Sequence, residues 1–233
     1  MKKFEIRDRY DLDDYRALMH FLCSPEGCPW DRVQTHESIR RNVLEEAYET
    51  AHAIDSGDLD NLKEGLGDLL MQVLLHADME ERAGHFDLDD VADAACKKLV
   101  FRHPYVFGPT TTEDPEAVLR LWDEQKMAEK GQKTLSEAMC SVPENLPALW
   151  RAEKIQKKAA AGARPAMDQA MEAFRAAAEA LERTPDGDGL GAVLFAAVAV
   201  AVAAGQDPEQ ALHAHCQRYI ADFARAEEES GKA

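Results

Sequence analysis

Basic residues are scarce in this chain: 27 Lys and Arg stand against 44 Asp and Glu in 233 residues, a formal net charge of −17. That shortage excludes an extended nucleic-acid duplex as a partner, because such binding relies on Lys and Arg replacing the counterions of the backbone. Long apolar runs are missing too. The most apolar stretch, Ala192 to Ala204, is thirteen residues, short of the ~20 that span a bilayer, and reads as a buried core helix. No apolar signal segment occupies the first residues, Met1-Lys2-Lys3-Phe4-Glu5. Cysteines are few, odd in number and without paired ligand spacing (Cys23, Cys28, Cys96, Cys140, Cys216), which argues against a disulfide framework or a zinc-finger-type site. No membrane partner and a reduced, cytoplasmic setting are therefore expected. Alternating strand patterns are likewise absent.

What remains is helical periodicity. Helices are predicted at about 9–23, 35–56, 59–83, 87–102, 113–130, 145–161, 167–183, 189–204 and 207–229, with a hinge near Ser141-Val142-Pro143. Breakers match these ends: Pro29, Ser56-Gly57, Gly84, Pro104, Gly108-Pro109, Pro165, Pro185 and Gly205. Glu113-Asp114-Pro115 and Asp207-Pro208 read as helix starts with proline in the first turn. The expectation is an all-α helical bundle, with domains at 1–132 and 143–230. An internal echo supports two halves: Gly65-Leu66-Gly67-Asp68-Leu69-Leu70 returns as Gly189-Leu190-Gly191-Ala192-Val193-Leu194. Glu46, Glu49 and Asp68 of the first copy become Ala173, Ala176 and Ala192 in the second. The acidic residues disappear while the apolar frame stays.

Chemistry concentrates in that first copy. Between Val43 and Ile54 an apolar stripe (Leu44, Ala47, Tyr48, Ala51, Ile54) is flanked by Glu45, Glu46 and Glu49. On a helix Glu49 falls roughly 40° from Glu45 and roughly 60° from Glu46, so the three form one wedge beside the stripe. The following segment carries its own stripe (Leu66, Leu69, Leu70, Val73, Leu74, Ala77), with Asp68 on the flank. A short turn between the two helices predicts antiparallel packing, which carries Asp68 toward the three glutamates. Converging carboxylates either form a solvated acidic face or hold a hard cation such as Mg²⁺ or Mn²⁺. Glu49-Thr50-Ala51-His52 is also a Glu-x-x-His unit of the di-iron type, but a di-iron bundle needs a second such unit, and none is well placed.

Taken in order, Cys28-Pro29-Trp30-Asp31, Gln34-Thr35-His36-Glu37-Ser38, Glu45-Glu46-Ala47-Tyr48-Glu49, Gly67-Asp68-Leu69-Leu70 and Arg102-His103-Pro104-Tyr105-Val106-Phe107-Gly108 closely resemble the MazG family of nucleoside triphosphate pyrophosphohydrolases. The likeness runs from about residue 10 to 130, and residues 143–229 resemble a worn second MazG-like half that keeps Leu146-Pro147-Ala148-Leu149 and Lys154-Ile155-Gln156-Lys157-Lys158. The resemblance implies an all-α homodimer that cleaves nucleoside triphosphates to monophosphate and pyrophosphate with Mg²⁺. Its metal pattern, Glu-Glu-x-x-Glu followed by Glu-x-x-Asp, falls on Glu45, Glu46, Glu49 and Asp68, with Glu46, Glu49 and Asp68 as ligands. Its nucleotide-binding residues match Lys98, Arg102, Trp122 and Lys126. Cations meet phosphate oxygens, and an indole face can stack on a base.

The departure is Gly65, which stands where the family places a ligand glutamate; Glu64 is the neighbouring substitute. Two readings follow: a metal-dependent hydrolase with Glu45 orienting the attacking water, or a nucleotide-binding protein whose turnover is weakened or lost at Gly65. Asp222 stands where the second half should carry a phosphate-binding arginine, so that half is read as structural. Trp30 reads as a core or interface residue and His103 as a helix cap, whereas His36 and His76 have no partner that sequence can supply.

Overall fold

The computed structural model describes residues 4–108, 111–112, 114–160 and 163–230. Every regular element among them is helical. The expected breaker Pro109, the expected helix start at Glu113 and the expected helix end at residue 161 lie outside the described residues. The chain divides into two compact units, Met1–Phe101 and Arg102–Ala233. That division falls ahead of the 132–143 segment read as a domain boundary from the sequence.

The first unit is built from α1 (Leu12–Leu22), α2 (His36–Ser56), α3 (Leu59–Ala83) and α4 (Leu88–Arg102, whose last residue opens the second unit). Local chemistry sets their ends. Asp11 caps α1 in a reciprocal box with Asp14, which starts the helix later than its apolar periodicity alone suggests. Thr35 and Ser38 form the same kind of box at α2. Gly57, at φ 69°, closes α2 in the left-handed conformation that glycine adopts without a Cβ penalty. Asp58 then accepts from the Asp60 and Asn61 amides and starts α3 at once. A tight turn of this kind folds α3 back along α2, and those two helices form the main pairing of the unit. A core of Met19, Cys23, Ile39, Leu74 and Leu75 ties α1 to the pair.

The face of α2 that turns inward differs from the apolar stripe. Ile39, Thr50 and Ala53 are buried, with Val43 and Glu46 half-buried between them. Leu44, Tyr48 and Ile54 are exposed, the last two at 59% and 61%. On α3, Leu66 and Val73 are exposed as well, while Gly65, Gln72 and Asp78 are buried. Helical periodicity marks an apolar face correctly, but it does not say which face meets the neighbouring helix of the same chain.

The second unit contains α5 (Pro104–Phe107), α6 (Pro115–Glu129), α7 (Leu135–Cys140), α8 (Ala148–Ala159), α9 (Met167–Arg183), α10 (Gly187–Ala203) and α11 (Pro208–Ser230). α6 and α11 begin at their prolines, as the Asp-Pro pairs indicate. α5 and α7 are additional short helices that periodicity passes over, since one or two turns carry too few residues to show it. α10 is the most apolar helix; it packs against α9 and α8 and buries Ala196, Val198 and Val202. The α9–α10 pairing dominates this unit as the α2–α3 pairing dominates the first, on the two segments that share the sequence echo. Among the described residues no single helix is long and apolar enough to cross a membrane. All five cysteines are free.

Candidate active site

The α2–α3 pairing is close because of two residues. Gly65 on α3 is buried, and a Cβ there would sit 2.7 Å from Thr50 Oγ1 and 3.3 Å from Thr50 Cα. Thr50 is itself buried and donates its hydroxyl to the Glu46 carbonyl at 2.8 Å. The backbones thus approach where Thr50 meets Gly65, one turn from Glu46 on one helix and from Asp68 on the other.

Carboxylates gather beside that crossing. Glu46, half-buried, is held above the ordinary carboxylate range, first by burial and then by the negative charges of Asp68, Glu49 and Glu45. Glu45 and Glu49 are exposed, and Asp68 is half-buried. α1 contributes Tyr15, whose hydroxyl donates to the Gly67 carbonyl at 3.3 Å. Burial and the Asp68 charge push the Tyr15 phenol upward, so it stays protonated. Glu64 is exposed on α3 and is not among the charges that raise Glu46. The space that a side chain at position 65 would enter is filled by Thr50.

Of the cationic residues, Arg102 and Lys126 lie in the second unit, whereas Lys98, exposed on α4, lies in the first. Arg102 is largely buried, paired through Nε with Glu129 at 2.6 Å and placed 5.4 Å above the centre of the Trp122 ring. His103 packs edge-on against the same indole, with centroids 4.9 Å apart. Its side chain makes no cap bond at the start of α5. One face of Trp122 therefore carries a guanidinium. Lys126 is half-buried, and its amine is lowered by burial first and then by Lys158, Lys130, Arg102 and Lys154. A concentration of cations within a chain of formal net charge −17 suits an anion. Trp30, read as a core or interface residue, is 56% exposed, so it is not part of the core.

Sequence reasoning missed two groups. Tyr15 and Thr50 shape the acidic crossing, yet neither stands out in a pattern of apolar and charged residues. His36 and His76 turn out to partner each other: their Nδ1 atoms are 2.5 Å apart, with the rings 11° from parallel. His36 Nε2 and His85 Nδ1 lie 2.5 and 2.7 Å from the two oxygens of Glu80. Residues forty apart along the chain meet only after the helix pair folds back.

The MazG nucleotide pyrophosphohydrolase domain matches residues 34–107, which include the α2–α3 pair and its carboxylates. The nucleoside triphosphate pyrophosphohydrolase/pyrophosphatase MazG of Thermotoga maritima is 34% identical over 226 residues, covering 93% of this chain and 86% of that protein. The nucleoside triphosphate pyrophosphohydrolase of Escherichia coli K12 is 43% identical over 150 residues, 64% of this chain. An uncharacterized Bacillus subtilis protein, YabN, is 44% identical over 148 residues. The matched regions amount to 57% of the Escherichia coli protein and 30% of the Bacillus subtilis one. With a motif-bearing helix pair in place and a likeness to the Thermotoga protein that runs nearly end to end, the chain belongs to the MazG family.

Proposed function

We propose that the chain hydrolyses nucleoside triphosphates to monophosphate and pyrophosphate, using Mg²⁺ or Mn²⁺ held at the α2–α3 crossing. The observation that carries this reading is the cluster itself: Glu46 is forced upward by burial and by three neighbouring carboxylates. Such crowding is unfavourable without a counter-charge, and an all-oxygen donor set fits a hard divalent cation. Glu46, Glu49 and Asp68 are the proposed ligands, with Glu64 as an added donor. When bound, the ion supplies charge neutralisation for the phosphoryl oxygens of the transition state. Glu45 positions the attacking water and takes its proton. Lys98, Arg102 and Lys126 bind phosphate oxygens, and Trp122 offers an indole surface to the base. The names of the Thermotoga and Escherichia coli relatives support the same chemistry.

A second reading is favoured by one observation. Thr50 fills the space at Gly65, so a fourth carboxylate cannot return by simple substitution, and the chain then binds nucleotide with little turnover. Pyrophosphate release from a panel of nucleoside triphosphates, with and without Mg²⁺ or Mn²⁺, separates the two. Metal-dependent release that disappears in Glu49→Gln, with helical circular dichroism retained, establishes the hydrolase. Silence from folded protein that still binds nucleotide establishes the binder. The exposed apolar residues Leu44, Tyr48, Ile54, Leu66 and Val73 support a homodimer, which light scattering tests. The matching α2–α3 and α9–α10 pairings support two tandem MazG-like halves, the second structural.

A further inference from the structure

We propose that His20, Asp78 and Glu81 form a second metal site, for a divalent transition ion such as Zn²⁺ or Co²⁺, distinct from the carboxylates around Asp68. His20 lies in the last turn of α1; Asp78 and Glu81 lie three apart on α3. One ligand atom from each is within 4.8 Å of the others, the only such trio among the described residues. Donors about 2.0–2.2 Å from one ion are separated by at most ~4.4 Å, so small side-chain movements complete the shell. His20 Nδ1 and Asp78 Oδ1 are 2.8 Å apart, a hydrogen-bond distance that needs to widen only to ~3.3 Å for both to ligate a tetrahedral ion at ~2.0 Å.

Two further observations point to a ligand. The trio faces a cavity of about 290 Å³, also lined by Asp13, Arg16, Leu74 and Leu88, which leaves room for water to complete the coordination. Asp78 is only 5% exposed, yet its Oδ2 accepts no hydrogen bond. Arg82 Nε lies 2.9 Å from that oxygen but directs its hydrogen to the Asp78 carbonyl at 3.3 Å. The Arg82 guanidinium balances part of the Asp78 charge, and a metal ion facing the cavity would add the directed contact that Oδ2 lacks. Nearby Cys23 supplies no thiolate, since burial first and Asp78 second push its thiol up to about 12.

An imidazole nitrogen in the set selects a borderline transition ion over Mg²⁺. Asp78 follows Asp68 by ten residues on α3, about 15 Å along the axis, so the two sites load independently. Bound there, an ion would clasp the end of α1 to α3.

The test uses the untagged full chain, stripped with chelator and titrated with Co²⁺, then Zn²⁺, by visible absorption and calorimetry. Wild type and Glu49→Gln are expected to develop the same Co²⁺ absorption bands, which Zn²⁺ displaces. His20→Ala and Glu81→Gln are each expected to weaken that binding at least tenfold with circular dichroism unchanged. Unaltered Co²⁺ bands and affinity in both variants, or bands lost in Glu49→Gln instead, overturn the proposal, as does wild type that develops none. Should His20→Ala fail to fold, Glu81→Gln decides, because Glu81 is exposed and its replacement removes only a ligand.

Discussion

Alanine at position 65 should not stabilise this protein, although alanine in a helix interior is ordinarily better than glycine by about 1 kcal/mol. The new Cβ would stand 2.7 Å from Thr50 Oγ1, 3.3 Å from its Cα and 3.4 Å from its Cβ. The hydroxyl cannot move aside freely, because Thr50 is buried and bonded to the Glu46 carbonyl. Forcing an extra methyl into such a contact costs about 1–3 kcal/mol, so Gly65→Ala should range from neutral to about 2 kcal/mol less stable. Thr50→Ala alone loses its hydrogen bond, about 1 kcal/mol. The double variant removes the obstructing oxygen, and its loss should fall short of the sum by about 1–2 kcal/mol. Urea denaturation of the four proteins, followed by far-ultraviolet circular dichroism, measures this coupling. A Gly65→Ala protein stabilised by the full helix increment, or an additive cycle, refutes the close-crossing argument. The same geometry says that Gly65→Glu is destabilised by itself and recovers stability with Thr50→Ala.

Glu49→Gln should lower metal-dependent pyrophosphate release by at least about a hundredfold while helicity is unchanged; release at the wild-type level removes Glu49 from the site. Lys126→Ala should raise KM for the triphosphate about tenfold and weaken inhibition by inorganic pyrophosphate, since it subtracts one cation from the group around it; steady-state kinetics at fixed ionic strength decides. Melting temperature should fall with acidification from neutral pH. His76 is held below its ordinary 6.5 by burial and by His36, so the unfolded chain takes up that proton first and stability is lost as pH falls through the lowered value. Glu80 adds a second loss below 4.5, because hydrogen bonds from His36 and His85 depress its carboxyl. His76→Gln should flatten the first step, and a profile identical to wild type would exclude His76 as its source.

Periodicity and breakers located the long helices because those signals are local, and the caps that set the final ends are local too. Asp11, Thr35, Asp58 and the glycines after α2 and α3 act through neighbours within one turn. The grouping of Glu45, Glu46 and Glu49 was legible for the same reason: helix geometry fixes the angle between residues three and four apart. Bringing Asp68 to them needed one further inference, that a tight turn folds the next helix back. The family resemblance added Lys98, Arg102, Trp122 and Lys126, for which spacing alone gave no chemistry. Arg102 illustrates the limit, since its partners Trp122 and Glu129 are remote in sequence.

The sequence by itself determined an all-helical chain and the acidic wedge on α2, both consequences of composition and short-range geometry, while the family resemblance marked Gly65 as standing where a ligand glutamate is expected. Only the tertiary structure decided which face of α2 turns inward and that Thr50 occupies the space at Gly65. It also decided that His36 meets His76 and that His20 meets Asp78. Those outcomes depend on side-chain volume and on contacts between residues far apart in the chain. Alternation of apolar and polar residues along one helix carries no information about the shape of the helix it will meet.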